Sequence, residues 1–338
     1  MELRKDPITR SWVIIDDRGA GSISQDPCPL CAGNEALSPL TISSHPLGHP
    51  EWQIRVTPHM RALYNIQGDS GKRAEGPYDR MRPVGAHEIV VETRDHFMPL
   101  SHQSDEHIAQ VLDTYVARLS DLKNDTRFRY ITVFRNQGKA AGQELDHPHS
   151  EITATPFIPR RVSYELQAAQ RHFSATERCL FCDILSEELK HPLKRLVASE
   201  DQFAAFCPFA ARVPYETWVM PVYHHSRFEV DLIRAGDNQL RLARFLKGVL
   251  QRLEFVSPSY HLVLHTSPNT KAKYERASNW RTLESDYHWH IEILPVISAK
   301  SKPYSLKEVY YNNLAPETAA AELRAAPLAP RTAVADMA

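Results

Sequence analysis

The chain has 338 residues, of which 42% are hydrophobic and 24% are charged, as is usual for globular proteins. Its formal net charge of -1 gives no electrostatic reason to expect nucleic acid or a membrane surface as the main partner. No apolar run approaches the roughly 20 residues that span a bilayer, and the opening MELRKDPITR lacks the apolar segment of a signal peptide. We therefore expect a cytoplasmic protein.

Four of the five cysteines form two pairs with the same spacing. Cys28 and Cys31 lie in CPLC, and Cys179 and Cys182 lie in CLFC. In a reducing compartment such pairs indicate metal ligands or redox-active dithiols rather than structural disulfides.

The order of elements after each cysteine pair is repeated along the chain. First comes an apolar stretch that contains a histidine (87–100 with His96, then 216–230 with His224), followed by a pattern typical of an amphipathic helix. A strand follows (129–138 and 260–269), and then His-x-His-x-Glu at the start of another strand (147–156 and 288–297). These repeats predict an α+β protein with two tandem units, 1–165 and 172–315, each an antiparallel sheet with packed helices. Residues 316–338 predict a short Ala-rich helix and a disordered Pro/Ala tail.

Each unit contains the four ligands that zinc prefers, two thiolates and two imidazoles. The candidates are Cys28, Cys31, His96 and His147 in the first unit, and Cys179, Cys182, His224 and His288 in the second. We expect zinc at the first site and predict a second ion at the other. The alternatives are a thioredoxin-like dithiol for either pair, and loss of the metal from the second site.

One histidine of each His-x-His motif has no metal to bind. A strand directs alternate residues to one face, so His147, His149 and Glu151 could share a surface. The preceding segment, residues 134–146, is rich in small residues and could bring backbone N–H groups close to a phosphate; alternatively, it is a tight turn. A neutral imidazole beside such a loop indicates phosphoryl transfer with His149 as the nucleophile. For His290 a place in the core is equally compatible with the sequence.

Several motifs together resemble the galactose-1-phosphate uridylyltransferase family of the histidine-triad (HIT) superfamily. They are HPHSE, the repeated His-x-His, NQGKAAG, CPLCAGN, the opening ELRKDPITRSWVII and the C-terminal PETAAAELR, and they span about residues 2–325. The resemblance implies two HIT-like halves and a homodimer in which the partner completes the sugar site. It also implies a nucleotide sugar and a sugar 1-phosphate as substrates.

The resemblance implies roles for individual residues. His149 matches the family's nucleophile, which forms a covalent nucleotidyl-histidine in a ping-pong reaction. Asn136, Gly138 and Gly142 match the loop that handles the phosphates, and Glu144 and Ser150 match neighbouring substrate-binding positions. The two Cys/His sets match the family's zinc site and a second zinc site that some members contain.

Several positions depart from the family pattern. Glu151 replaces a glutamine that donates a hydrogen bond to the phosphoryl group, which a carboxylate can do only when it is protonated; a nearby phosphate would raise its pKa. Glu144 replaces a serine, and Pro58 lies where an asparagine contacts the nucleotide. Ser305 replaces a glutamate that contacts the hexose. An arginine-proline pair that the family has just after the segment Trp12–Ile15 is also missing, and only Arg18 is nearby.

Because of these departures, two functions other than nucleotidyl transfer to a sugar 1-phosphate remain compatible with the sequence. A phosphorylase or hydrolase of the same superfamily, acting on a nucleotide sugar or dinucleoside polyphosphate, would resolve the intermediate with phosphate or water, and Glu151 could then act as a base. A zinc-stabilised nucleotide-binding protein without transfer activity is the other.

Overall fold

The structure is a computed structural model that describes residues 1–19, 23–234, 236–273, 280–297 and 309–328. It contains fourteen strands and seven α-helices in these residues. The strands are β1 (Glu2–Lys5), β2 (Trp12–Ile15), β3 (Ser43–His45), β4 (Ile54–Pro58), β5 (Arg73–Glu75), β6 (Tyr78–Met81), β7 (Ala86–Val91), β8 (Tyr130–Gln137), β9 (His149–Thr155), β10 (Leu196–Ser199), β11 (Phe203–Phe206), β12 (Thr217–Pro221), β13 (Tyr260–His265) and β14 (His290–Pro295). The helices are α1 (Asp105–Leu122), α2 (Arg160–Thr176), α3 (Leu180–Lys190), α4 (Phe228–Arg234), α5 (Asn238–Glu254), α6 (Leu283–Asp286) and α7 (Pro316–Ala325).

Ten of the strands form one antiparallel sheet in which the two halves of the chain mirror each other. The order is β10-β11-β12-β14-β13-β8-β9-β7-β4-β3, so β13 and β8 meet at the centre. They pair from Tyr260 opposite Gln137 to Leu264 opposite Val133. The predicted α+β class with antiparallel sheets and packed helices is confirmed, but the two units share one continuous sheet. The unit boundaries at 1–165 and 172–315 stay a prediction.

One face of this sheet is covered by helices along its whole length. The apolar positions of α1 and α5 alternate at the spacing of an amphipathic helix and are buried against the sheet. The Ser104 side chain caps the start of α1 by accepting a hydrogen bond from the His107 backbone N–H. The core on this face continues through α4 and α7 without a break between the halves.

The opposite face differs between the two halves. In the C-terminal half, residues of α2, α3 and α6 pack on it with Ala204, Phe206 and Met220. In the N-terminal half, the equivalent face carries a small apolar cluster that includes Leu30, Trp52 and Leu145, contributed by loops. Loops, and no α-helix of the described residues, therefore cover this part of the face.

Strands β2, β1, β6 and β5 form a second sheet of four strands, which the sequence did not predict. The predicted C-terminal helix is present as α7, whereas the tail from residue 329 onward lies outside the described residues. Among the described helices, none combines the length and apolar character needed to cross a bilayer.

Candidate active site

The first Cys/His set comes together beside β7 and β9. The Cys31 thiol lies 3.2 Å from Nδ1 of His96 and 3.5 Å from Nδ1 of His147. Cys28 lies 4.0 Å from the same His147 nitrogen. All four donor atoms are within 4.8 Å of one another. This group could hold a metal ion.

The orientation of His147 fits a metal ligand. Its Nε2 lies 2.7 Å from the carbonyl oxygen of Thr93. A carbonyl only accepts, so Nε2 carries the proton and the Nδ1 lone pair faces the thiols. Burial lowers the pKa of His147 to about 4, which keeps the ring neutral.

The second Cys/His set forms a similar group on a different backbone. Cys179 immediately precedes α3 and Cys182 lies in its first turn, whereas CPLC forms turns. The Cys182 thiol lies 3.2 Å from Nδ1 of His224 and 3.4 Å from Nδ1 of His288. Nε2 of His224 donates to the Glu284 carbonyl at 2.9 Å, again directing Nδ1 at the sulfurs. These four residues could hold a second ion.

His149 is the first residue of β9, and His147 lies just before the strand. The strand face that was predicted to carry His147, His149 and Glu151 therefore carries only the last two. Nδ1 of His149 lies 2.7 Å from the carbonyl oxygen of His147 and therefore carries the proton. Its Nε2 keeps a lone pair. Burial lowers the pKa of His149, and the residue is 4% exposed. The hydrogen bond to the His147 carbonyl thus fixes the orientation of the neutral His149 ring.

His290 has the same local geometry but is enclosed. Its Nδ1 donates to the His288 carbonyl at 3.1 Å. The ring stacks on Trp218 and on His265, with centroids 5.0 and 4.7 Å away, and its buried Nε2 has no hydrogen-bond partner in the part of the chain that the structure describes. Of the two alternatives for this histidine, the structure therefore shows the core residue.

Glu151 follows His149 on the same strand face and is bonded to a histidine that the sequence analysis missed. Its Oε2 lies 2.7 Å from Nε2 of His87, which lies on the neighbouring strand β7. The ring of His59, directly after Pro58, stacks on His87 at 4.2 Å with an angle of 3°. The alternating pattern of β4 and β7 could have placed both imidazoles on this face.

Burial would raise the pKa of the Glu151 carboxyl, but the hydrogen bond from His87 and the electrostatic interactions with the rings of His87, His149 and His59 outweigh it and hold that pKa below its ordinary value. The carboxyl group is therefore ionised at neutral pH. The expectation of a raised pKa does not describe the free protein.

The small-residue loop after β8 is a tight 3-10 turn at Lys139–Ala141, flanked by Gly138 and Gly142, both with positive φ. The side chain of Gln143 accepts the Gly138 N–H at 2.6 Å, and the Gly138 carbonyl accepts from Ala141 and Gln143. Most of the loop's N–H groups are thus bonded within the turn.

Asn136 lies at the end of β8. Its Oδ1 accepts from Nδ1 of His261 at 2.8 Å, which leaves the two amide N–H groups of Asn136 for another partner.

Two predicted substrate-binding side chains do not join His149. The Ser150 hydroxyl lies on the helix-covered face, where it bonds to Glu92 and Tyr115 in the interior. Strand alternation is the cause, because Ser150 is adjacent to His149. Glu144 is exposed, and its carbonyl accepts from the Gln25 side chain at 2.9 Å.

Two further departures lie elsewhere in the chain. The side chain of Arg18 bonds mainly to Asp16, at 2.8–3.2 Å. Ser305 lies outside the described residues.

Comparison with known proteins identifies relatives along almost the whole chain. The family model described as galactose-1-phosphate uridyl transferase, N-terminal domain, matches residues 62–159. An ADP-glucose phosphorylase of Arabidopsis thaliana is 28% identical over 341 residues, covering 96% of this chain and 92% of the relative. A galactose-1-phosphate uridylyltransferase of Thermotoga maritima is 28% identical over 335 residues, covering 96% and 98%.

Solved structures give the same result for the fold. A uridylyltransferase structure matches with a TM-score of 0.79 at 27% identity, covering 96% of this chain and 98% of the other. The ADP-glucose phosphorylase from Arabidopsis thaliana, solved with bound ADP-glucose, matches with a TM-score of 0.76 at 27% identity, covering 97% and 100%. By sequence and fold, the chain resembles galactose-1-phosphate uridylyltransferases and the ADP-glucose phosphorylase along almost its whole length.

Proposed function

We propose that the protein is a nucleotidyltransferase that moves a uridylyl group from UDP-glucose to a hexose 1-phosphate, with His149 as the nucleophile. The observation that carries the proposal is the hydrogen bond from Nδ1 of His149 to the His147 carbonyl at 2.7 Å. It leaves the Nε2 lone pair free for phosphorus. The relatives named above support the class of reaction.

In the first half-reaction, Nε2 of His149 attacks the α-phosphorus of the nucleotide sugar. The bond from this phosphorus to the bridging oxygen breaks, and the sugar 1-phosphate leaves. The Nδ1 proton stays on the ring, and the His147 carbonyl stabilises the positive charge that develops there. A covalent nucleotidyl-histidine results.

In the second half-reaction, a phosphate oxygen of the incoming hexose 1-phosphate attacks the same phosphorus. The P–Nε2 bond breaks, and its electron pair returns to His149. The amide N–H groups of Asn136 are candidates to donate to the phosphates, and the loop from Gly138 to Gly142 forms the adjoining wall. Glu144 lies at the exposed rim of this loop.

Zinc is the ion we propose for both Cys/His groups. Zinc bonds of about 2.3 Å to sulfur and about 2.0 Å to nitrogen, arranged as a tetrahedron, place the sulfur and nitrogen atoms about 3.5 Å apart. The nitrogen–sulfur distances of 3.2–4.0 Å fit that requirement. Two sulfurs and two imidazoles fill all four positions, so the ions stabilise the fold, each by on the order of 10 kcal/mol. The first also fixes the segment that aims His149.

We propose that the protein works as a homodimer in the cytoplasm. The homodimer is what the resemblance of the sequence to the family implies. The five unpaired cysteines suit a reducing compartment. Sedimentation analysis of the purified protein tests the dimer.

The decisive experiment traps the covalent intermediate. The protein is incubated with UDP-glucose labelled in the uridylyl group, denatured in base and separated from free nucleotide. We expect label that is stable in base and released by acid, and we expect none on His149→Ala. The matched control is His290→Asn, at the equivalent position of the second half, which should keep the label. Label retained on His149→Ala would refute the assignment.

Phosphorolysis is a second candidate, in which inorganic phosphate resolves the intermediate and releases a nucleoside diphosphate. The observation that favours it is the ionised Glu151, since the usual amide donor is absent. A relative is also named ADP-glucose phosphorylase. Product analysis with phosphate alone, with hexose 1-phosphate alone, and with ADP-glucose in place of UDP-glucose separates the two reactions.

A further inference from the structure

The tautomer of His87 is fixed by the backbone. Its Nδ1 accepts the N–H of Leu63 at 3.2 Å. An N–H can only donate, so Nδ1 has no proton and Nε2 carries it. The Nε2–H therefore donates to Glu151 at 2.7 Å, and the carboxyl group acts as an acceptor.

His59 is fixed in the same way. Its Nδ1 accepts the N–H of Arg61 at 3.0 Å, so its proton is also on Nε2. Its ring is stacked on His87, and one of its ring nitrogens lies within 4.8 Å of a Glu151 carboxylate oxygen. Burial, followed by the charge of His87, lowers the pKa of His59 to about 4. Two imidazoles with protonated Nε2 atoms thus lie beside one carboxylate.

This trio is unsuited to a metal ion, although its donor atoms are close. A metal would need the Nε2 lone pairs, and the two backbone N–H groups hold the protons there. The metal-site histidine His147 shows the opposite arrangement, with Nε2–H directed at a carbonyl and Nδ1 free. The trio therefore serves to hold a carboxylate.

The held carboxylate faces the site of the proposed intermediate. Glu151 lies two residues after His149 on the same strand face, and its side chain is 16% exposed against 3% for His87. Only Oε2 is hydrogen-bonded among the described residues, so Oε1 is available. The charged or titratable groups that influence it most are His87, His149 and His59.

The chemistry of the acceptor indicates what this oxygen can do. A sugar 1-phosphate or inorganic phosphate already carries negative charge on its attacking oxygen at neutral pH and needs no base. Water must lose a proton as it attacks, and an ionised carboxylate can take it. We propose that Glu151, positioned by His87, is a general base that lets water hydrolyse the nucleotidyl-histidine.

The step balances without a further reactant. Oε1 of Glu151 takes a proton from water while the water oxygen bonds to phosphorus. The P–Nε2 bond breaks, and its electron pair returns to His149. A nucleoside monophosphate is released, and Glu151 passes its proton to solvent. The protein therefore has a nucleotide-sugar hydrolase activity in addition to transfer, which dominates when acceptor phosphates are scarce.

The inference rests on the nucleotidyl-histidine of the proposed function, and its test follows the decay of that adduct. Labelled adduct is prepared on the zinc-loaded protein, freed of small molecules, and followed without acceptor. Glu151→Ala removes the base without adding an amide donor and should slow the decay by about 100-fold, a typical contribution of general base catalysis. Glu151→Asp keeps a carboxylate and should retain more of the rate. In ¹⁸O-water the released monophosphate should gain one ¹⁸O.

His87 is tested as a positioning residue. His87→Leu removes the donor and should slow the decay, whereas His87→Gln supplies a donor of similar reach and should restore part of it. Since the pKa of Glu151 is lowered from its ordinary value, chiefly by the hydrogen bond from His87 against the effect of burial, the ratio of wild-type to Glu151→Ala rates should stay constant from about pH 8 to about pH 5.5. A purely structural defect at His87 would not produce the partial recovery in His87→Gln together with a rate ratio that is independent of pH.

The outcomes separate the two proposals. Adduct that decays equally fast in wild type and Glu151→Ala overturns the hydrolase inference alone. Absence of ¹⁸O from the monophosphate does the same. If no adduct forms on wild type or on any variant, the nucleophile assignment fails and this inference fails with it.

Discussion

Gly138 and Ser259 touch across the junction between the two halves of the sheet. A Cβ added to Gly138 would lie 2.3 Å from the Ser259 hydroxyl oxygen and 3.1 Å from its Cβ. The Gly138 backbone has φ 81° and ψ 154°, a region that is essentially restricted to glycine. The loop from Gly138 to Gly142 therefore packs tightly against Ser259 of the C-terminal half.

We expect Gly138→Ala to reduce the rate of adduct formation by more than about 10-fold, because the loop must shift to relieve both the contact and the backbone strain. Gly142→Ala is the matched control. Its φ is 77°, but no atom lies within 4 Å of its added Cβ, so only strain of on the order of 1 kcal/mol applies. Single-turnover labelling compares them. Equal rates in the two variants would contradict the role of the Ser259 contact.

The ion pair between Arg135 and Glu92 lies under β9 and is fully buried, with Ser150 and Tyr115 bonded to the same carboxylate. Arg135→Met leaves that carboxylate unpaired, and we expect the free energy of unfolding to fall by about 3–5 kcal/mol. The double variant Arg135→Met/Glu92→Gln carries no buried charge here and should recover much of the loss. Urea unfolding measures both. A single variant as stable as the double would argue against this account.

We expect different consequences when a cysteine ligand is removed from the first or from the second Cys/His group. Cys28→Ser and Cys179→Ser should each leave about one zinc per chain, measured by elemental analysis, because each group lacks one of four ligands. Cys28→Ser should also slow adduct formation, since His147 aims His149 through its carbonyl. Cys179→Ser should lower the thermal midpoint but leave the adduct, because His290 is enclosed. Loss of the adduct only in Cys179→Ser would reverse the assignment.

Local patterns in the sequence predict much of this structure, whereas contacts between distant segments required the coordinates. The spacing from Ile108 to Leu119 predicted α1, and His149 and Glu151 were expected on one face of a strand, as found. The same alternation places the Ser150 side chain in the interior, because neighbouring strand residues face opposite sides, so the expectation that this side chain binds substrate beside His149 conflicts with the strand pattern.

The partners of Glu151 lay beyond sequence analysis because they depend on register. His87 reaches Glu151 only because β7 pairs with β9 so that Ile89 lies opposite Glu151 and His87 opposite Thr153. A shift of one residue would turn His87 to the other face. The continuous ten-stranded sheet likewise depends on pairing between β8 and β13, which are more than a hundred residues apart.

Glu151→Gln should also change the transfer reaction. The Nε2–H of His87, now bonded to the carboxylate at 2.7 Å, would donate to the new amide oxygen and leave the amide N–H groups facing the substrate. A hydrogen bond to a charged phosphoryl oxygen is worth about 1.5–3 kcal/mol, so transfer to hexose 1-phosphate should accelerate by about 10- to 100-fold. Initial rates with saturating UDP-glucose measure it, and His87→Leu/Glu151→Gln is the control in which the amide is no longer oriented. An equal gain in the control would show that removal of the charge, and not the orientation by His87, causes the effect.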